Sequence, residues 1–152
     1  MDFHINEIIK PNLSNNTIEI NLQFNRKNKE VKKFIEYIKS YNASIIGQKD
    51  FLIKIIPYNE IIFFFSKEKF NYCQTSDNIY KVKNKLYEIE KMSLDFMRIS
   101  KNCIVNIEHI KDFDMSKTGK ININMDNDVS LAVSRRRIRN VLDFFDERIN
   151  QV

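Results

Sequence analysis

Short segments rich in β-branched and aromatic residues, separated by turns, fill most of the chain between residues 51 and 133. Such a series predicts short strands that pair with their neighbours in antiparallel fashion. The last two predicted strands form a hairpin around Asp126, Asn127 and Asp128, which are good turn residues. The predicted strands are Phe51–Ile56, Glu60–Phe65, Lys69–Thr75, Ile79–Val82, Phe96–Ile99, Cys103–Asn106, Lys111–Met115, Lys120–Met125 and Val129–Val133.

Apolar residues recur at helical spacing in three other segments, which are Asn28–Tyr41, Lys83–Lys91 and Arg136–Asn150. Asn28 is a suitable N-cap for the first of them. Before that helix, Thr17–Phe24 alternates apolar and polar residues as a half-buried strand does, and Ala43–Gly47 predicts a short strand after it. We therefore expect an α+β fold. A mostly antiparallel β domain with a C-terminal helix occupies residues 51–152, after a small β-α-β extension at residues 1–50.

Composition excludes several classes of protein. Only two glycines and two prolines occur among 152 residues, which excludes collagen-like, linker-like and glycine-loop architectures. Neither a G-x-G-x-x-G motif nor a Walker A motif is present, so nucleotide binding through either motif is excluded. The longest uninterrupted apolar run is Ile61–Phe65, far short of the roughly 20 residues that a membrane span needs. The first residues lack the basic start and apolar stretch of a signal peptide, so we expect a soluble cytoplasmic protein.

Residues capable of catalysis are few and scattered. Cys73, Cys103 and the two histidines match no metal-ligand spacing, so neither a metal nor another cofactor is expected. Cys103 lies among apolar residues and is interpreted as a buried thiol, and His109 as a turn residue rather than a general base. Asp112 and Asp114 could converge on one face, but without a third ligand they are interpreted as solvated charges. The sequence therefore predicts no enzyme and no catalytic residue.

The arginines are more informative than the net charge of +5, which only permits an anionic partner. Four of the seven arginines, Arg135, Arg136, Arg137 and Arg139, fall within five positions at the start of the last predicted helix. A helix N-terminus favours phosphate, and the guanidinium fork matches the major-groove edge of guanine. The alternative is a solvated basic face whose charges pair with acidic residues on the same helix, namely Asp143, Asp146 and Glu147.

Several segments, taken in order, resemble one known family. Residues 96–106 are F-M-R-I-S-K-N-C-I-V-N, residues 107–110 are I-E-H-I, and residues 131–138 are L-A-V-S-R-R-R-I. Upstream, residues 57–64 are P-Y-N-E-I-I-F-F, and Tyr80–Leu86 matches a strand that leads into a short helix. Together these segments resemble the LytTR family of bacterial DNA-binding domains over about residues 51–150.

The resemblance implies a transcriptional regulator that recognises direct-repeat or paired promoter sites through loops in successive major grooves. The implied base contacts come from Lys67 or Lys69, from Lys101 and from Arg135. The implied backbone contacts come from Arg98, Asn102, Lys117, Arg136 and Arg139.

The resemblance also implies a stand-alone regulator that binds promoter DNA as a homodimer. A membrane regulatory protein encoded nearby is an implied partner, and the extension would serve dimerisation or partner contact. Two residues are also given structural roles: Asn106 is expected to close a turn, and Ser134 to cap the last helix. The alternative function is a protein-interaction module or anti-regulator whose basic face is only solubilising.

Overall fold

The computed structural model of the protein describes residues 19–26, 28–41 and 43–149. Within them, ten strands form a seven-stranded sheet, with strand order β2-β1-β5-β4-β3-β7-β6, and a three-stranded sheet, with order β10-β9-β8. Every pairing is antiparallel. The elements are α1 (Lys29–Ser40), β1 (Ser44–Lys49), β2 (Leu52–Pro57), β3 (Phe63–Lys67), β4 (Phe70–Gln74), β5 (Ile79–Val82), α2 (Leu86–Ile89), β6 (Phe96–Ser100), β7 (Cys103–Asn106), β8 (Ile110–Met115), β9 (Ile121–Met125), β10 (Ser130–Ala132) and α3 (Ile138–Ile149).

This architecture confirms the predicted α+β class, the antiparallel pairing and the C-terminal helix. Three short 3₁₀ turns, at Tyr58–Glu60, Ile107–His109 and Arg135–Arg137, join elements of the fold. None of the helices in the described ranges is long and apolar enough to cross a membrane.

Two adjacent strands of the large sheet, β3 and β7, are buried on both faces over most of their length. Phe64 and Ile104 belong to a core cluster that includes the inner face of the β1–β2 hairpin and helix α2. Phe63 and Val105, on the opposite face, pack with the three-stranded sheet and α3. This part of the large sheet is therefore a middle layer, which explains why residues 63–65 and 103–105 are continuously apolar rather than alternating.

Helix α1 forms where its capping residue and its apolar stripe predict it. The Asn28 side chain accepts a hydrogen bond from the backbone N–H of Val31 at 2.9 Å, as an N-cap does. The stripe residues Phe34, Ile35 and Ile38 are half-buried, whereas most of the remaining described side chains of the helix are exposed. Both predictions for this segment are confirmed.

The strand predicted at Thr17–Phe24 is wrong in the part that the structure describes. Thr17 and Ile18 lie outside the described residues, and residues 19–24 belong to no strand. Ile20, Leu22 and Phe24 are exposed, so their alternation with polar residues serves no buried sheet face. Alternation stabilises a strand only where another strand pairs with it and a core buries its apolar side. Among the described residues, no strand pairs with residues 19–24.

The second predicted strand of the extension is joined to the main sheet. β1 pairs with β2 along six residues and also with β5. The hairpin therefore crosses the proposed boundary between residues 50 and 51, and the pairing favours assigning β1 to the sheet. The extent of an N-terminal extension remains a proposal.

The start of the last helix also differs from the prediction. Arg135–Arg137 form a 3₁₀ turn, and α3 begins at Ile138 rather than at Arg136. Ser134 stands before the turn, and its backbone carbonyl accepts a hydrogen bond from Arg137 at 2.9 Å, but its side chain makes no capping bond. The expectation that its hydroxyl caps the helix was wrong, because the turn is closed through the backbone alone.

Candidate nucleic-acid interface

Backbone hydrogen bonds bring four separate loops to one end of the molecule. The N–H of Ser66, at the end of β3, donates to the carbonyl of Asn102 in the β6–β7 loop at 2.9 Å. The N–H of Ser134 donates to the carbonyl of Ile99, also at 2.9 Å. Since these bonds join residues that flank the loops, the β3–β4 turn, the β6–β7 loop and the arginine-rich turn lie side by side.

A third bond adds the turn between β8 and β9. The N–H of Val133 donates to the carbonyl of Ile121, the first residue of β9, at 2.9 Å. The turn at residues 116–120 therefore lies beside the segment that carries Arg135. We call residues 67–70, 100–102, 116–120 and 134–139 the basic end, because they carry Lys67, Lys69, Lys101, Lys117, Lys120, Arg135, Arg136, Arg137 and Arg139, with Glu68 as the one acidic residue.

The β3–β4 turn presents two predicted base-contact residues. Lys67 pairs with Phe70, and Glu68 and Lys69 between them have φ angles of 50° and 69°. Positive φ at both central residues is the geometry of a two-residue hairpin turn that follows the twist of the strands. Lys67 and Lys69 are both exposed, so either lysine is accessible for the base contact that the resemblance implies.

Arg98 lies beneath the β6–β7 loop rather than on the surface. Its side chain is only 14% exposed. Nε donates to the carbonyl of Ser100 at 2.8 Å, and Nη2 donates to the carbonyl of Lys101. The guanidinium group therefore holds the loop from which Lys101 projects, and this arrangement favours a positioning role over the implied contact with phosphate. Lys101 and Asn102 are exposed above it.

Glu90, which the sequence did not single out, joins two of the loops. One carboxylate oxygen lies 3.6 Å from Nη1 of Arg98, and the other lies 3.7 Å from Nη1 of Arg137. Glu90 follows α2 and is about one-third exposed, so it connects the β6–β7 loop to the arginine-rich turn through two ion pairs. No signal in the sequence could have identified it, since the pairing depends on three segments that meet only in the fold.

The other arginines of the cluster are free of acidic partners within the described ranges. Arg135, Arg136 and Arg139 are exposed and form no ion pair with another described residue. Glu147 on α3 lies instead 3.6 Å from Lys33 of α1. The alternative in which acidic residues of the last helix neutralise the cluster therefore finds no support in this part of the chain.

Lys117 occupies the tip of the β8–β9 turn. The turn is closed by hydrogen bonds between the backbone groups of Ser116, Gly119 and Lys120, and Gly119 adopts a φ of 76°. A side chain other than hydrogen is strained at that angle, which explains the glycine. Lys117 and Lys120 are both exposed beside the arginine-rich turn.

Polar residues at the opposite end of β3 and β7 are used within the fold. Asn106 is 1% exposed, and its amide nitrogen donates to the carbonyls of Ile61 at 2.8 Å and Tyr58 at 3.1 Å. Its Oδ1 accepts from the N–H of Glu108 at 3.1 Å, which confirms that Asn106 closes a turn. His109 bonds Asp126 through Nδ1 and the Asn59 carbonyl through Nε2, each at 2.6 Å, so both ring nitrogens serve structure.

The remaining candidates for catalysis are likewise structural. Burial raises the pKa of Cys73 to about 11 and that of Cys103 to about 12, so both thiols are protonated at neutral pH. Asp112 and Asp114 do converge, but on the amide nitrogen of Asn124, at 2.6 and 3.1 Å. Among the described residues no group of three possible metal ligands occurs.

Comparison with known proteins gives three findings. The family model of the LytTr DNA-binding domain matches residues 52–146. Uncharacterized HTH-type transcriptional regulators from Staphylococcus aureus strains NCTC 8325 / PS 47 and COL are each 29% identical over 140 residues, which is 90% of this chain and 94% of each relative. A solved LytTr DNA-binding domain from Bacillus cereus has the same fold, with a TM-score of 0.60 and 20% identity over 69% of this chain and 94% of that one.

Proposed function

The chain belongs to the LytTR family of DNA-binding domains, and from this premise we propose that its basic end reads promoter DNA as a sequence-specific transcriptional regulator. The family is one of DNA-binding domains rather than of enzymes. The observation that carries the proposal is the convergence of four loops, which present exposed Lys67, Lys69, Lys101, Lys117 and three arginines without acidic partners among the described residues.

Loops rather than a recognition helix do the reading in this proposal. The three helices of the described chain are separated in sequence by strands, so no two of them form a helix-turn-helix pair. The major groove is about 12 Å wide and admits compact protrusions such as hairpin turns. We assign the base contacts to Lys101 and Arg135, together with Lys67 or Lys69 from the β3–β4 turn.

Chemistry distinguishes these base contacts from one another. The guanidinium group of Arg135 can donate two parallel hydrogen bonds to O6 and N7 of guanine. Lys101 offers a single ammonium group, which selects an acceptor without fixing its orientation. Arg135 therefore supplies the strongest discrimination at one base position.

Phosphate contacts are assigned to neighbours of these residues. Asn102, Lys117, Arg136 and Arg139 are exposed around the base-reading side chains. Contacts of this type set register and add affinity for any sequence. Arg98 also stands in the implied set, and its bonds to the carbonyls of Ser100 and Lys101 support an indirect part in which it shapes the loop.

A binding experiment at two salt concentrations tests the proposal. DNA sites are selected from a random pool with the full chain, and the enriched duplex and a scrambled duplex are compared by gel shift. We expect the enriched site to bind at least about a thousandfold more tightly than the scrambled one. Failure to enrich any site, or equal binding of both duplexes, would refute sequence-specific reading and favour the protein-interaction alternative.

The finer features of the proposal concern location and partners. We assign the protein to the cytoplasm, where promoter DNA is accessible, and infer that it binds paired sites as a homodimer. The exposed apolar residues Ile20, Leu22 and Phe24 support a partner-contact role for the N-terminal segment. A membrane regulatory protein encoded nearby is the partner proposed for that segment.

A further inference from the structure

Strand β2 forms one edge of the large sheet. It stands first in the strand order, and among the described residues it pairs only with β1. An edge strand presents a row of unpaired N–H and C=O groups that can accept another strand. Six residues, Leu52–Pro57, make up this edge.

The outer face of the β1–β2 hairpin is apolar and uncovered. Ile46, Ile53 and Ile55 are 63%, 69% and 68% exposed, and Ile46 lies directly opposite Ile55 in the pairing register. Phe51 in the connecting turn is fully exposed. On the inner face, Ile45 and Ile56 are buried in the core. The hairpin therefore has a second apolar face, beyond the one that the core uses.

Charged residues do not protect this edge. Lys54, the one charged residue of β2, belongs to the inner face, where its ammonium group lies 3.6 Å from Glu60 and 5.7 Å above the ring of Tyr80. Natural edge strands are usually shielded by outward charges, by bulges or by proline. Here the proline, Pro57, is the last residue of the strand, so most of the edge remains available.

We propose that this edge and its apolar face bind a second copy of the chain, with β2 pairing antiparallel to the β2 of the other copy about a two-fold axis. A strand that pairs with itself in this way forms an isologous interface, in which the same surface serves both copies. Ile53 and Ile55 of the two copies then form one continuous apolar stripe. The inference rests on the proposed function and specifies the surface of the homodimer in it.

Area and chemistry favour a second copy over other occupants. The exposed side chains of Ile46, Phe51, Ile53 and Ile55 offer on the order of 600 Å² per copy, somewhat below the roughly 800 Å² that each partner contributes to a standard interface. DNA or a lipid headgroup would require several charged side chains, and the outer face of the two paired strands carries none. The neighbouring cation on this face is Lys81 of β5, opposite Gln48, and its ammonium group lies 3.4 Å from the centroid of the Phe70 ring. An apolar, self-complementary edge is the arrangement that a two-fold dimer needs.

Sedimentation equilibrium of the full chain without DNA tests the proposal. We expect a monomer–dimer equilibrium whose dissociation constant rises at least about tenfold in Ile55→Lys, because the new charges would meet across the axis. Tyr87→Lys is the matched control, since Tyr87 lies on α2 and is 56% exposed. A wild-type chain that stays monomeric, or an Ile55→Lys variant that dimerises as the control does, would overturn the proposal.

Two further measurements keep the test decisive if Ile55→Lys folds poorly. The uncharged variant Ile55→Thr retains β propensity and should weaken the dimer in the same direction. Hydrogen exchange of the wild type at low and high protein concentration should protect the outward amides of β2 only at high concentration, and concentration-independent exchange would contradict edge pairing. Ile55→Lys and Tyr87→Lys should bind a DNA duplex that carries one half-site with equal affinity, because a single copy occupies that duplex. A failure of DNA recognition is therefore distinguishable from a failure of the dimer interface.

Discussion

Polar side chains bond within the fold at one end of strands β3 and β7 and are exposed at the other end. At one end the side chains of Asn106 and His109 form hydrogen bonds with backbone carbonyls, with an N–H group and with Asp126. At the basic end, Arg135, Arg136 and Lys101 are exposed and form no ion pair with another described residue. The first end is organised for stability, and the second leaves its cations available for an external anion.

The largest expected effect lies at the end that serves structure. Asn106→Ala removes three hydrogen bonds and leaves the carbonyls of Tyr58 and Ile61 without the amide that they bond in the interior. We expect the free energy of unfolding in urea to fall by about 3 kcal/mol or more. Asn122→Ala, at an exposed site on β9, is the control and should change it by no more than about 0.5 kcal/mol. Equal effects would remove the distinction between the two ends.

Arg135→Ala should weaken DNA binding and leave the stability of the fold unchanged, because this side chain is exposed at the basic end. We expect the binding free energy for the selected duplex to weaken by about 1–3 kcal/mol, with preference at one base position relaxed. Fluorescence anisotropy at fixed salt measures the binding free energy. The melting temperature of the variant should equal that of the wild type. Arg26→Ala removes the same charge from an exposed site outside the basic end. A variant of Arg135 that binds as the Arg26 variant does would show that the base contact is misassigned.

Glu90 connects the two kinds of role, since its ion pairs with Arg98 and Arg137 hold loops of the basic end. In Glu90→Gln we expect affinity for the selected duplex to fall by about 1 kcal/mol while affinity for a scrambled duplex holds or rises, because a negative charge is lost. Asp77→Asn, in the exposed turn between β4 and β5, is the isosteric control. A parallel change in affinity for both duplexes would argue against positioning of the loops.

Lys117→Ala should have the smallest effect. We expect affinity for the selected and scrambled duplexes to weaken equally, by about 0.5–1 kcal/mol, and the salt slope of binding to decrease by about 1. Titrations at three salt concentrations measure both quantities. Lys111→Ala, in β8 where the lysine lies 3.6 Å from Asp128, is the control. A loss confined to the selected duplex would make Lys117 a base contact.

Local patterns predicted much of the fold. Alternation, turn residues and a capping asparagine located α1 and most of the strands. The turn triplet at Asp126–Asp128 closes the β9–β10 hairpin. There the N–H of Asp128 donates to the carbonyl of Met125, and the N–H of Met125 donates to the carbonyl of Val129. These elements are determined by residues close to one another in sequence. The strand predicted at Thr17–Phe24 failed over residues 19–24 because periodicity indicates a face without supplying the sheet that would bury it.

The resemblance proposed individual residues for the candidate interface, but it did not give their arrangement. The resemblance named Lys101, Arg135 and Lys117, yet their proximity depends on backbone bonds between Ser134 and Ile99 and between Val133 and Ile121. The burial of Arg98 and its pairing with Glu90 also depend on how β6 packs beside α2 and the arginine-rich turn. Contacts between residues distant in sequence leave no local pattern.

Main-chain hydrogen bonds join the loops of the basic end, in addition to the ion pairs of Glu90. The bonds from Ser66, Val133 and Ser134 require only N–H and carbonyl groups, which every residue other than proline supplies at these positions. The side chains at Lys69, Lys101 and Arg135 can therefore be exchanged without dismantling the scaffold that presents them. A change of promoter preference would then require a few substitutions at the loop tips, with the core left as it is.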